Sequence, residues 1–297
     1  MQYKFLKNGF KVSVTSFGCM SLEEYGIEND YLIGSAIDKG VTLFDTADLY
    51  NKGENEVLLG KALGNNRKKI LLATKVGNRW RTDGSGWDWI PTKEYILEAV
   101  DHSLRRLNTD YIDLYQLHGG TLDDPQDEII EAFERLKDMG KIRDYGISSI
   151  RPNVIRSYVS YSNIVSVMTQ YSLLDRRPEE EVLQLLEDHK IGVLARGTLA
   201  SGLLAGKPAA SYLSLKETEV RNIQRKVIKL APVGKTPAET AIRYVADHPA
   251  VTTAVVGVRT SLQLDEMIDA GSLSPLTEKK RSAIAAIWTG NRYEQHR

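Results

Sequence analysis

An apolar run, Val41-Thr-Leu-Phe44, closes on Asp45-Thr-Ala-Asp-Leu-Tyr50. A carboxylate at the end of a buried strand, with a phenol five residues further on, is an uncommon pairing. Two more strand-like runs end on ionisable residues: Ile70-Leu-Leu-Ala-Thr74 on Lys75, and Ile112-Asp-Leu-Tyr-Gln-Leu117 on His118. If these strands are neighbours in one parallel sheet, Asp45, Tyr50, Lys75 and His118 meet. A tyrosine, with an ordinary pKa of about 10, is a poor acid at neutral pH. A lysine ammonium beside it favours the phenolate, and a general acid works best when its pKa lies near the operating pH. In such a cluster Asp45 would hold Lys75 charged and oriented. His118 would hydrogen-bond a substrate carbonyl or relay a proton.

The elements that must position these residues are legible as alternating short apolar runs and amphipathic segments, the pattern of βα units on a parallel sheet. The expected strands are residues 14–17, 42–44, 70–74, 112–117, 144–147, 166–169, 192–195 and 252–256. The expected helices are 30–39, 54–63, 93–107, 127–139, 153–161, 179–189, 236–247 and 262–270. Thr236-Pro-Ala-Glu239 offers an N-cap, a proline in the first turn and a capping-box glutamate. Glu179-Glu-Glu181 after Arg177-Pro178 reads as an acidic first turn. Eight alternations without a break in composition predict an α/β fold, one closed (β/α)8 TIM barrel spanning residues 1–297 as a single domain. An open doubly wound sheet is the competitor, but its glycine-rich fingerprint is missing after the first strand, which ends Phe17-Gly-Cys-Met20. Residues 3–6 and 10–14, flanking Asn8-Gly9, predict a β-hairpin that plugs the barrel bottom. Two connections exceed what a barrel needs. Residues 78–92 hold Trp80, Trp87 and Trp89, and residues 197–235 contain an extra helix near 217–230.

Bulk properties narrow the function classes. The 297 residues carry 39 Lys+Arg and 39 Asp+Glu, so no net field favours nucleic acid or an anionic membrane. A single cysteine, Cys19, leaves no internal disulfide and suits a reducing compartment. The first ten residues lack a signal-peptide core, and no segment reaches the roughly 20 apolar residues of a membrane span. A cytoplasmic monomer acting on a small molecule is expected. His102, His189, His248 and His296 fall on helices, a helix end and the terminus, and no Cys/His spacing suggests a metal.

Blander readings stand beside these. A strand-end Asp or Lys can be a cap or an ion pair, and His118 before Gly119-Gly120 can be a rim residue. Thr260-Ser-Leu-Gln263 reads as an N-cap with a capping box that needs no ligand. It reads equally as a phosphate site, because Gly257-Val-Arg-Thr-Ser261 leads from the last strand into a helix N-terminus. There Arg259 could make charge-assisted bonds to a phosphate. The tryptophans either line a substrate pocket or seal the barrel rim.

Over nearly its whole length the chain resembles the aldo-keto reductases. The matching pieces include Phe17-Gly-Cys-Met20, Gly40 through Tyr50, Gly53-Glu-Asn-Glu56, Thr74-Lys75, Leu117-His118, Gly140-Lys-Ile-Arg143, Gly146-Ile-Ser148, Gln170-Tyr-Ser-Leu-Leu174, Gly202-Leu-Leu204 and Gly257-Val-Arg-Thr260. The resemblance implies a (β/α)8 barrel that reduces an aldehyde or ketone with NADPH, Tyr50 being the general acid and Asp45, Lys75 and His118 its partners. It also implies a cofactor pocket built from Gly18, Cys19 and Met20; from Ser148, Ser149 and Gln170; from Arg196, Gly197, Thr198, Leu199 and Gly202; and from Gly257, Val258, Arg259, Thr260, Gln263 and Glu266. Three departures from the family pattern stand out. Ser149 replaces the usual Asn beside the carboxamide, Arg196 replaces the aromatic that stacks on the nicotinamide, and Met267 replaces the Asn that meets the adenine. The alternatives are a barrel that binds NADPH as a redox sensor with little turnover and, more remotely, a Schiff-base lyase using Lys75.

Overall fold

The computed structural model describes residues 1–22 and 28–297. Eight parallel strands close into a barrel in the order β3 (Thr15–Gly18), β4 (Leu43–Asp45), β5 (Leu71–Val76), β8 (Ile112–Leu117), β9 (Ile142–Ser148), β10 (Ser166–Gln170), β11 (Gly192–Arg196) and β12 (Val251–Gly257), with β12 pairing back to β3. All eight strands read from the sequence are present, each within two residues of its expected ends.

Before the barrel, β1 (Tyr3–Phe5) and β2 (Lys11–Ser13) form an antiparallel hairpin. Its Leu6 and Val12 join a buried cluster with Leu43, Ala73, Leu114, Met168, Leu194 and Val255, one from nearly every barrel strand. Leu6 reaches so far in that a Cβ on Gly192 would lie 2.1 Å from its Cδ2. The hairpin therefore closes the bottom as the sequence predicts, and fully burying a leucine of this kind is worth about 1.5–3 kcal/mol.

The helices α1 (Asn29–Asp38), α2 (Glu54–Leu63), α3 (Lys93–Arg106), α4 (Gln126–Asp138), α5 (Pro152–Tyr161), α6 (Val182–Asp188), α7 (Glu217–Leu230), α8 (Pro237–Ala246), α9 (Ser261–Ser272) and α10 (Glu278–Ala285) surround the strands. In α3 the buried positions are Ile96, Ala99, Val100 and Ser103, and in α4 Ile129, Ala132, Phe133 and Leu136. Both follow the i, i+3, i+4, i+7 spacing of a single apolar stripe. At the start of α8 the expected capping box is complete: Glu239 N–H donates to Thr236 Oγ1 (3.1 Å) and Thr236 N–H to a Glu239 carboxylate oxygen (2.6 Å).

One expectation is corrected, and two elements come in addition to those expected. The acidic run Glu179–Glu181 does not open α6, because Glu181 sits at φ −155°, ψ −34°, outside helical space. Glu179 instead lies in a 3₁₀ turn and accepts from the phenols of Tyr171 (2.7 Å) and Tyr244 (2.8 Å) and from Arg176. The tryptophan connection is no plain loop but a second hairpin, β6 (Asn78–Trp80) with β7 (Trp87–Trp89). Helix α10, capped by Thr277, was not expected, since its sequence buries only Ile284 and carries no apolar stripe.

Candidate active site

Side chains alternate along a strand, so residues two apart share a face. The apolar layer above the hairpin contains Leu43, Ala73, Leu114, Met168 and Leu194. Two residues further along the same strands stand Asp45, Lys75, Gln116, Gln170 and Arg196. The polar ring is thus the next layer of the barrel interior, raised on an apolar floor at the carboxyl ends of the strands. This is the end at which barrel active sites form.

Lys75 is wholly buried and bonded on three sides: to Asp45 Oδ2 (2.7 Å), to the Thr46 carbonyl (2.6 Å) and to the Tyr50 phenol oxygen (3.4 Å). Burial alone would lower the ammonium, but Asp45 and Tyr50 outweigh it and hold the group above its ordinary value. Burial raises the Asp45 carboxyl, opposed by Lys75 and by Gln116, whose amide donates to Asp45 Oδ1 (3.3 Å). His118 follows β8 directly and packs edge-on to Tyr50, with ring centroids 5.8 Å apart. Burial, reinforced by the charges of Lys75 and Arg196, pushes its pKa down to about 3. Its Nδ1 is buried without a hydrogen-bond partner among the described residues. At neutral pH His118 is a neutral imidazole, suited to hydrogen bonding a carbonyl oxygen rather than to carrying charge.

Tyr50 opens a 3₁₀ turn, Tyr50–Gly53, in which Asn51 (φ 47°) and Lys52 (φ 55°) are left-handed. Non-glycine residues held there store roughly 1–3 kcal/mol each and persist only when the surroundings fix them.

A cavity of about 1000 Å³ opens above this cluster. Asp45, Tyr50 and His118 stand in its wall, and Lys75 lies directly behind them. Of the other expected residues, Gly18, Met20, Ser148, Ser149 and Gln170 line it. Arg196, Gly197, Thr198, Leu199 and Gly202, from β11 and the connection after it, also line it, as do Gly257, Arg259, Gln263 and Glu266, from the end of β12 through the start of α9. Cys19 and Val258 do not reach it, being wholly buried in the apolar core. Thr260 is also outside the wall: its hydroxyl caps α9 by accepting from Gln263 N–H (3.3 Å). The expected reciprocal bond shifts by one residue, Gln263 Oε1 accepting from Arg259 N–H (2.9 Å).

Of the tryptophans only Trp89 lines the cavity. Its indole N–H donates to Asp124 (2.9 Å), and its ring lies so close to the backbone that a Cβ on Gly77, at φ +127°, would come within 2.5 Å of it. Trp80 and Trp87, paired across the hairpin nearer its tip than Asn78 and Trp89, pack edge to face on each other outside the wall.

Gln116, Asn78 and Tyr212 stand among the residues of the site that the sequence alone does not mark as such. Gln116 carried a usable signal, being a polar residue two positions from Leu114 in a strand buried throughout. Asn78 lines the cavity and donates to the His118 carbonyl (3.1 Å). Tyr212 folds in from the long connection before α7, and its phenol oxygen accepts from Gln170 Nε2 (3.3 Å). Nothing local marks it, because the path of that connection across the barrel mouth is tertiary. Gln170 itself is held firmly: Arg196 donates to its Oε1 (2.8 Å), and its Nε2 donates to Asp175 (2.8 Å).

The aldo/keto reductase family model matches residues 24–289. The chain belongs to the aldo/keto reductase family. It is 48% identical over 295 residues to an uncharacterized oxidoreductase, YqkF, of Bacillus subtilis (strain 168), covering 96% of each protein. Its structure superposes on the holo form of aldo-keto reductase AKR11C1 from Bacillus halodurans with a TM-score of 0.94 at 46% identity, covering 100% of this chain and 99% of that one. A more distant relative, 30% identical over 262 residues, is the NADH-specific methylglyoxal reductase of Escherichia coli (strain K12), with 84% of this chain and 79% of that protein covered. As a member of this family the chain is an oxidoreductase on a (β/α)8 barrel.

Proposed function

We propose that this oxidoreductase reduces an aldehyde or ketone to the alcohol with NADPH, Tyr50 donating the proton. The observation that carries the reading is the buried chain Asp45–Lys75–Tyr50, in which one ammonium joins a carboxylate at 2.7 Å to a phenol at 3.4 Å. When the phenol gives up its proton to the carbonyl oxygen, the ammonium stabilises the phenolate left behind. Because that ammonium is already placed, no charge has to be reorganised during the step. Neutral His118, adjacent to Tyr50, would hold the carbonyl oxygen by hydrogen bonding. Lys75 is itself a poor candidate for Schiff-base chemistry, since Asp45 and Tyr50 keep it protonated.

The cavity supports a dinucleotide in shape and in charge. It runs from the Tyr50 cluster to the N-terminus of α9, where unpaired N–H groups and the helix dipole favour an anion. Arg259 stands there with no carboxylate within ion-pair distance among the described residues, which suits a 2′-phosphate. When bound, the reduced nicotinamide would supply the hydride. Ser148, Ser149 and Gln170 would hold its carboxamide, and Arg259 the phosphate. The tether of Gln170 to Arg196, Asp175 and Tyr212 presents it in one orientation.

Tyr50→Phe tests the assignment. Carbonyl reduction should fall by about 100-fold or more, in keeping with removal of a general acid, while NADPH affinity stays within a few-fold. A variant that keeps most of its kcat refutes the role of Tyr50.

A further inference from the structure

The turn that carries Tyr50 is left-handed at three successive residues, Asn51, Lys52 and Gly53 (φ 47°, 55° and 92°), and only the last is glycine. A backbone of this kind holds its shape only when its neighbours over-determine it. Two neighbours do so. On one side the Arg106 guanidinium packs on Gly53, where a Cβ would lie 2.8 Å from Nε, and Glu56 anchors that guanidinium (2.7 Å). On the other side is Trp80. Its indole N–H donates to the carbonyl of Leu49, the residue just before Tyr50 (3.1 Å), and the Lys52 ammonium lies 5.3 Å from the centre of its ring. Trp80 therefore grips the turn at both ends, one residue before the phenol and two after it. Trp80 belongs to β6, which follows β5 with only Gly77 between, and β5 bears Lys75. One short stretch of chain thus sets both the ammonium and the turn whose phenol must meet it.

We propose that Trp80 is a positioning residue for proton donation. With Lys52 it clamps the Tyr50 turn so that the phenol oxygen stays at the Lys75 ammonium. It acts through the Leu49 carbonyl and the Lys52 side chain, and touches neither the cavity nor the reacting atoms. This rests on Tyr50 being the proton donor.

The test compares native protein, Trp80→Phe, which keeps a ring but loses the N–H, and Lys52→Met, which removes the cation from the ring. Arg81→Ala breaks the exposed Arg81–Asp88 pair at the hairpin tip (2.9 Å) and serves as control. Displacing a reacting group by about 1 Å can slow a reaction roughly 100-fold, so kcat of Trp80→Phe should fall about 10- to 100-fold. Lys52→Met should fall about threefold, the smaller effect expected of an exposed cation–π contact. In Trp80→Phe the solvent isotope effect on kcat should rise as proton transfer becomes limiting, while KM and cofactor affinity stay within about twofold of native. Arg81→Ala should match native. If Trp80→Phe fails to fold, as judged by thermal melting, Lys52→Met carries the test, because Lys52 is exposed. Native kcat with an unchanged isotope effect in the tested variant overturns the clamp, as does an equal loss in Arg81→Ala. Tyr50→Phe, assayed alongside, separates the two ideas. If it keeps native kcat, the proton-donor reading falls and the clamp with it; if it is inactive while Trp80→Phe is native, only the clamp falls.

Discussion

The low pKa of His118 has a consequence for stability that can be measured without any substrate. In the folded protein burial holds the imidazole at about 3, against 6.5 for an unperturbed histidine. As pH falls, the unfolded chain therefore binds a proton at this residue well before the folded chain does. The His118 contribution to stability is fully present above pH 6.5 and is lost as pH falls from 6.5 toward 3. At pH 5 an unfolded histidine gains RT ln(1 + 10^1.5), about 2 kcal/mol, from protonation, and the folded one gains almost nothing. His118→Gln removes the titration while keeping a polar side chain. Urea denaturation of both proteins at pH 8 and at pH 5 should show the variant losing about 2 kcal/mol less than native between the two. Other titrating groups, including His248 (pKa lowered to about 4) and the buried Asp48, are common to both proteins and cancel in this difference. Equal losses would mean that His118 is not held neutral, and the argument for a neutral imidazole beside Tyr50 would fall with it. The same placement predicts a kcat profile with no limb near pH 6.5 arising from His118.

Further outcomes follow from the cavity wall. Arg259→Ala should weaken NADPH binding by about 1.5–3 kcal/mol, the worth of a charge-assisted hydrogen bond, and leave NADH nearly untouched; equal losses in a fluorescence titration would make Arg259 structural. Trp89→Ala should raise KM for aromatic aldehydes more than for short aliphatic ones, whereas Trp87→Ala, outside the wall, should change neither. An identical effect of Trp89→Ala on both substrate classes would assign Trp89 to rim packing. Arg196→Tyr should shift the ratio of NADP⁺ to NADPH affinities toward tighter NADP⁺, because a guanidinium beside an oxidised, positively charged nicotinamide opposes it. An unchanged ratio would show that Arg196 does not sense that charge.

Much of the molecule is written in local sequence. The eight strands, the hairpin plug and the complete box at Thr236 are consequences of apolar periodicity and of capping chemistry acting over a few residues, so the sequence suffices to place them. The same is true of Asp45, Lys75 and His118 as strand-end residues, because a strand's alternation and its end are both local. What joined them was the closing of β4, β5 and β8 into adjacent positions, and only then did Gln116 emerge as a donor to Asp45 and Thr46 as a carbonyl partner of Lys75. The tryptophans show where local reading ends. Trp80, Trp87 and Trp89 are alike in composition and setting, yet Trp89 stands at the cavity opposite Asn78, whereas Trp80 and Trp87, paired nearer the hairpin tip, meet the Leu49 carbonyl and the solvent. Tyr212 and the network of Gln170, Asp175 and Arg196 depend on how a long connection crosses the barrel mouth. Those contacts lie between residues distant in sequence, and no spacing along the chain records them. Periodicity and caps fixed the elements, while the direction in which each side chain meets the site was decided when the barrel closed around it.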